Sequence, residues 1–314
     1  MKRKKRVLSL LLALLLSLAT LHAGTLLTHA DTFFEEGDFR FAATSGERLL
    51  VAQYKGSDTD VALPDSVGGR AVTGVYKNCF QNTAVESVTL PEGYTAIGAF
   101  AFNGCTALAE VTLPSTLESI GIMAFSGCTA LAQVDFSAAE SLEAISFAAF
   151  NGCTSLQQAI LPDSLTSLGE NAFCNCTALS QIGLPENLTE IPEYAFYGTA
   201  LGSVYVPDTV TAVGKAAFGA DTEIVCFEGS AAAQYCADNG VTNARVLERL
   251  AGDANTDGYV NVNDVTAIQR SIAELEVLPP YAALLADVDR SGAVNVDDAT
   301  RIQMYLAEFD VTLG

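Results

Sequence analysis

Apolar positions recur along this chain at a long period, not at the short spacing of a single helix or strand. Phe80, Phe102, Phe125, Phe150, Phe173, Phe196 and Phe218 stand 22, 23, 25, 23, 23 and 22 residues apart. The clearest unit runs from Ala107 to Phe125 and continues into Ser126, Gly127, Cys128 and Thr129. Within it, Leu108, Val111 and Leu113 read as a short strand with its apolar side inward. Pro114 ends that strand, because proline has no amide proton to give to a ladder. Leu117 and Ile120 read as a second inward pair, and Phe125 is predicted to stack on the other phenylalanines as an inner spine. The first strand recurs at Leu131, Val134 and Phe136, at Leu156, Ala159 and Leu161, at Leu179, Ile182 and Leu184, and at Leu201, Val204 and Val206. One such coil cannot bury its own apolar face, whereas a stack of coils shares a continuous core.

The turn after each phenylalanine carries its own signal. Gly104, Gly127 and Gly152 share one slot and Asn175 takes it in the next unit. Both residue types accept a left-handed backbone. The two 22-residue units, after Phe80 and after Phe196, lack the cysteine that follows this slot, so the missing residue matches the missing cysteine. Periods of about 20–29 residues with this leucine pattern belong to leucine-rich solenoids. The pattern resembles the BspA-like bacterial leucine-rich repeats over roughly residues 38–245. Tyr54-Lys55-Gly56, Val61 to Pro64 and Gly69 to Thr73 also look like that family. The resemblance implies a leucine-rich-repeat solenoid, with short β-strands stacked in a right-handed superhelix. Glu228 to Gly240 reads as a capping helix, with Ser230 as N-cap and Gly240 just past its end.

Of eight cysteines, Cys105, Cys128, Cys153 and Cys176 occupy equivalent slots on successive coils. Such residues stand about 4.8 Å apart with parallel side chains. A disulfide needs converging Cβ atoms about 3.8 Å apart, so these four are expected to be buried thiols. Cys226 with Cys236 is the best disulfide candidate, since that bond would pin the capping helix to the last coil.

Met1 to Arg6 is basic, Val7 to Leu21 is apolar, and small residues follow. The apolar stretch is shorter than the roughly 20 residues of a membrane span, so residues 1–30 read as a signal peptide. Cleavage is expected after Ala30, or alternatively after Ala23. The formal charge is -21, with 16 basic and 37 acidic residues. Five of the 16 basic residues lie in the leader, so its loss leaves -26. Such a surface disfavours nucleic acid and anionic lipid, and no membrane insertion is expected after leader removal. Both histidines, His22 and His29, also lie in the leader, and tryptophan is absent. Without imidazole, a Ser-His-Asp or Cys-His nucleophile and a histidine-ligated zinc are excluded from the mature chain.

The sharpest chemistry is duplicated near the carboxyl end. Asp253 to Asp264 and, 34 residues later, Asp287 to Asp298 fit the calcium-loop template D-x-[DN]-x-[DN]-G. Position twelve is aspartate instead of glutamate, and Ser291 stands at position five of the second loop. Calcium wants roughly six to eight oxygens. The first set is Asp253, Asn255, Asp257, the Tyr259 carbonyl, Asn261 and Asp264. The second is Asp287, Asp289, Ser291, the Ala293 carbonyl, Asn295 and Asp298. Two Ca²⁺ ions are expected, the second held more weakly because Ser291 removes a charge. Val260 and Val294 are expected to bridge the loops. A helix follows each loop, with Val265, Ile268 and Ile272 on one apolar face and Ala299, Ile302 and Leu306 on its counterpart.

Two loop-then-helix halves without entering helices resemble a type I dockerin over roughly residues 250–310. The expected organisation is a signal peptide (1–30), a solenoid with N-terminal cap and C-terminal capping helix (31–247) and a dockerin (248–314). The resemblance implies calcium-dependent docking on a cohesin domain of a scaffoldin or surface protein. The contacts it implies are Val262, Asn263, Thr266, Gln269 and Arg270, and in the second half Val296, Asp297, Thr300, Gln303 and Met304. The matched valines leave a two-way docking mode open, and Arg270 against Met304 breaks the symmetry. On the solenoid, Ser87, Thr89, Glu110, Thr112, Gln133, Asp135, Gln158, Ile160, Gln181, Gly183, Ser203 and Tyr205 are expected on the exposed strand face, for an unknown protein or glycan ligand. The overall expectation is a secreted, non-catalytic interaction protein at the cell surface or in a cellulosome. A glycoside hydrolase or polysaccharide-degradation component and a host or cell-surface adhesin are the alternatives.

Overall fold

The computed structural model describes residues 32–43 and 48–314, and the expected leader lies outside them. The described chain forms two compact units. One runs to Ala200 and takes in Gly214–Gly219, and the other comprises Leu201–Val213 and Ala220–Gly314.

The first unit opens on an antiparallel meander of Thr32–Glu36, Phe39–Ala43 and Leu49–Tyr54. Leu49–Tyr54 then pairs in parallel with Arg70–Val75, which starts a ladder continued by Ala96–Ile97, Ser119–Ile120, Ala144–Ile145 and Ser167–Leu168. A second parallel ladder joins Asp60–Ala62, Ser87–Thr89, Glu110–Thr112 and Gln133–Val134, and Gln158–Ile160 pairs with Gln181–Gly183. Each coil thus gives one very short strand to each ladder. Registers match residue for residue, Val88 facing Val111 and Ile97 facing Ile120. This β-solenoid is the fold that the repeat foretells.

Between the ladders lies the phenylalanine spine. Rings from Phe80 to Phe173 stack within 11° of parallel at centroid distances of 4.9, 5.0, 5.1 and 5.2 Å. Phe196 continues the stack at 5.7 Å, and Tyr54 caps its other end at 5.4 Å from Phe80. The 25-residue unit interrupts the strand ladder. Its first strand stops at Val134, and Asp135 caps a 3-10 turn over Phe136–Ala138 through the Ser137 amide. Asp135 is therefore a turn residue and not a displayed strand position. Phe136 packs edge-on to Phe150 at 5.4 Å.

All eight cysteines are buried free thiols. Cys105, Cys128, Cys153 and Cys176 each donate to the carbonyl of the phenylalanine one coil earlier, Phe80, Phe102, Phe125 and Phe150, at 2.8–3.1 Å. In the two shorter units a threonine takes the cysteine slot. Thr83 and Thr199 each donate to the phenylalanine carbonyl of their own coil at 2.8 Å. The expected disulfide between Cys226 and Cys236 is not formed. Burial instead raises the Cys226 thiol and pushes the Cys236 thiol up to about 11.

The second unit carries a parallel sheet of Ser203–Tyr205, Glu223–Phe227 and Ala244–Leu247. Helix α1 (Ala231–Asn239) begins at Ser230, whose hydroxyl accepts the Ala233 amide, and ends at Gly240 with φ 63°. Three helices follow: α2 (Val262–Ile272), α3 (Pro280–Ala286) and α4 (Val296–Leu306). Their core is Ala254, Val265, Ile268, Ala286, Val288, Ala299 and Ile302. The expected apolar faces are shorter than the spacing suggests, since Ile272 and Leu306 are exposed. Helix α3 was not expected, and it gives the second loop an entering helix. Val260 and Val294 pack against the core, and among the described residues no β-bridge joins them.

Candidate metal centre

Both loops fold around their first and last aspartates. Asp253 accepts the amides of Asp257 (3.0 Å) and Gly258 (2.9 Å), and Asp287 accepts those of Ser291 (2.9 Å) and Gly292 (2.8 Å). Gly258 and Gly292, at φ 87° and 86°, make the sharp bend that lets those amides turn inward. At the far end, Asp264 accepts the amides of Asn255 (3.0 Å) and Asn261 (2.7 Å). Asp298 does the same for Asp289 (3.3 Å) and Asn295 (2.9 Å). Asn261 and Asn295 in turn accept the amides of Asn263 and Asp297, both at 2.8 Å, so each loop ends as the capping box of its helix.

These contacts leave lone pairs on every carboxylate. Asp253, Asp264 and Asp298 are buried, and among the described residues no ion pair with lysine or arginine neutralises any loop aspartate. Burial holds the Asp253 carboxyl above its ordinary value, against the pull of the Gly258 and Asp257 amides. Half-buried Asp289 lies below the usual range through its hydrogen bonding with Ser291, with a smaller contribution from the Arg301 charge. Buried carboxylates without counter-charges, all-oxygen donors and no thiol or imidazole are the donor chemistry of a hard divalent cation.

The two loops are not equally gathered. Carboxylate oxygens of Asp287, Asp289 and Asp298 lie within 4.8 Å of one another. Among the described residues this is the one acidic cluster so tight, and the first loop, with Asn255 at position three, does not form its counterpart. The charge argument for a weaker second site also fails. Each loop has three carboxylates, because Asp289 replaces the charge that Ser291 omits. The Ala293 carbonyl accepts from Ser291 Oγ (3.2 Å) and Asn295 Nδ2 (3.1 Å), which brings those three residues to one side of the loop. Tyr259 turns its ring to solvent, so only its main chain is available to the loop.

All ten expected docking residues on α2 and α4 are exposed. Thr266 and Thr300 repeat one detail, each donating to a carbonyl four residues back, Val262 at 3.0 Å and Val296 at 2.8 Å. Arg270 is ion-paired with Glu276 at 2.8 Å. Of the expected display positions on the solenoid most are exposed, with Ser87 and Gly183 half-buried. Tyr205 is the exception in kind, packed edge-on to Phe227 at 6.2 Å. No helix among the described residues is long and apolar enough to cross a membrane.

Comparison with known proteins agrees with this anatomy. Residues 73–143 and 108–225 match the BspA type Leucine rich repeat region, in six copies, and residues 251–307 match the Dockerin type I domain. No curated protein matches the sequence. Among solved structures the chain is similar to a leucine rich cell surface protein from Faecalibacterium prausnitzii A2-165. The two are 28% identical over 63% of this chain and 56% of that one, with TM-score 0.58. It is also similar to the leucine rich repeat protein TpLRR of T. pallidum, 27% identical over 62% of this chain and 86% of that one, with TM-score 0.51. The chain thus spans little more than half the length of the first of these. The stacked parallel coils thus carry BspA-type leucine-rich repeats over residues 73–225, and the pair of loop–helix halves is a type I dockerin domain over residues 251–307.

Proposed function

We propose that this protein is secreted and non-catalytic, docks on a cohesin domain through two calcium-loaded loops, and displays a ligand-binding face on its solenoid. One observation carries the docking half: the same surface occurs twice. Val262 and Val296 are 66% and 64% exposed at the first turn of α2 and α4, an unusual exposure for valine. Behind each lies a matched threonine and glutamine, Thr266 and Gln269, then Thr300 and Gln303. Calcium, when bound, supplies the positive charge on which each loop closes. The chain does the rest, because Asp264 and Asp298 tie loop to helix and so fix the direction of each valine. A partner groove that accepts one half accepts the other after a half-turn, with Arg270 against Met304 setting the preference between them.

Dockerin domains typically bind cohesins, and both matched domain types are non-catalytic. The similar F. prausnitzii protein is described as a cell surface protein, which supports display at a surface for this chain too. Calorimetric titration of the full chain against a panel of cohesin domains, with and without chelator, tests the reading. Docking is expected only with calcium, and Asp253→Ala combined with Asp287→Ala is expected to abolish it, because metal binding and folding of such a module are coupled. Docking that persists in chelator with both substitutions would overturn the proposal.

A further inference from the structure

The capping sheet and the calcium module share a second apolar cluster, separate from the module's own core. Leu285 of α3 is buried against Val225, Phe227 and Leu247, and Tyr281 of the same helix meets Tyr205 at 5.5 Å between ring centroids. The covering helix therefore turns Ala286 toward the module core and Tyr281 and Leu285 toward the last strands of the repeat region. The start of the module is itself tied to this helix, the Gly252 amide donating to the Leu285 carbonyl at 2.8 Å. Arg249, in the connection, ion-pairs with Asp208 and lies 4.8 Å over the Phe227 ring.

One contact runs directly into a calcium loop. Arg245, on the strand Ala244–Leu247, donates from Nη2 to Thr256 Oγ1 at 2.7 Å and to the Thr256 carbonyl at 3.2 Å. Thr256 lies between the expected ligands Asn255 and Asp257, in a left-handed conformation at φ 57° that a threonine adopts only under constraint. Arg245 therefore grips the first loop at the residue between two expected ligands.

We propose that the calcium module is the C-terminal cap of the solenoid, and that loading of the first loop is linked through Thr256–Arg245 and the Leu285–Phe227 cluster to the order of the last two strands. The partner of this surface of α3 is the chain's own final sheet. The inference rests on calcium binding by the first loop, and it adds that the solenoid's end responds to it. Linkage is reciprocal, so an intact cap also favours loading.

Hydrogen exchange on the full chain tests this, with calcium and with chelator, alongside calorimetric calcium titration. Chelation is expected to speed exchange at least tenfold in Glu223–Phe227 and Ala244–Leu247, and to leave Glu110–Thr112 unchanged. Arg245→Met is expected to weaken calcium binding several-fold while a Leu285→Ala, Tyr281→Ala double variant, which spares the module core, speeds exchange in the same two strands with calcium present. If no calcium binds, both this inference and the docking proposal fall. If calcium binds but exchange in the two strands ignores chelator and the double variant, the cap linkage alone is overturned.

Discussion

Phe150 shows what one residue contributes to a stack. Its ring is fully buried between Phe125 and Phe173, at 5.1 and 5.2 Å, with Phe136 against its edge. Its carbonyl accepts the Cys176 thiol. Phe150→Ala empties a site that neighbouring coils cannot collapse to fill, and is expected to cost about 3–5 kcal/mol, read as a lower midpoint in chemical denaturation. The thiols make a second residue-level case. Burial pushes Cys79, Cys105, Cys128 and Cys153 upward from the ordinary thiol value, so little reactive thiolate forms at neutral pH. A thiol reagent is expected to titrate less than one equivalent on the folded chain and all eight after denaturation. Rapid reaction of several thiols in the folded protein would refute the burial argument.

At the scale of the coil, the turns are built from two left-handed residues. One follows each phenylalanine from Phe80 to Phe196, as at Gly104 (φ 72°), Gly127 (φ 76°) and Asn175 (φ 58°). The other comes two residues before it, at Asn78, Phe100, Met123, Ala148, Asn171, Tyr194 and Ala216. Ala216→Gly removes a Cβ from this conformation and is expected to raise stability by about 0.5–1 kcal/mol, measured by denaturation against the parent. The first turn position was legible in the sequence because glycine and asparagine announce it. The second was not, since only Asn78 and Asn171 carry a signal and the fold imposes the conformation on the rest. Similar logic separates the helices of the module. The starts of α2 and α4 were legible from the calcium-loop spacing, whereas capping by Asn261 and Asn295 emerged only in the fold. Helix α3 was not, because it is short, opens on Pro280, and divides its apolar residues between two clusters, so no single stripe appears. The far ends of α2 and α4 misled for a simpler reason: a periodic pattern reports a face, and Ile272 and Leu306 lie beyond the module core and are only partly covered.

Across the whole molecule, charge acts against compactness. Acidic residues outnumber basic ones 37 to 16, and among the described residues the ion pairs Lys55–Glu35 and Arg270–Glu276 are exposed ones of small worth. Self-repulsion of this kind is screened by salt, with a Debye length of about 10 Å at 0.1 M. With calcium saturating, raising sodium chloride from about 10 to 200 mM is therefore expected to raise the melting temperature by a few degrees, measured calorimetrically; a fall would show that attractive surface pairs dominate. The division into coils and module was legible at this scale from two unrelated repeats, one of about 23 residues and one of 34. What composition and spacing do not reveal is which residues meet across the connection, because Arg245 and Tyr281 look like ordinary surface positions until the chain is folded.

Seating α3 on the sheet beside it has a mechanical consequence. A tether that is pulled while its module is gripped elsewhere ordinarily pays out slack before any folded element feels the load. Here the connection from Leu247 to Gly252 is spanned by Leu285 on Phe227 and by Arg249 on Asp208. Drag on an anchored molecule thus enters the strand Glu223–Phe227 at once, and it does so alongside a parallel neighbour whose hydrogen bonds must be sheared together instead of peeled one by one.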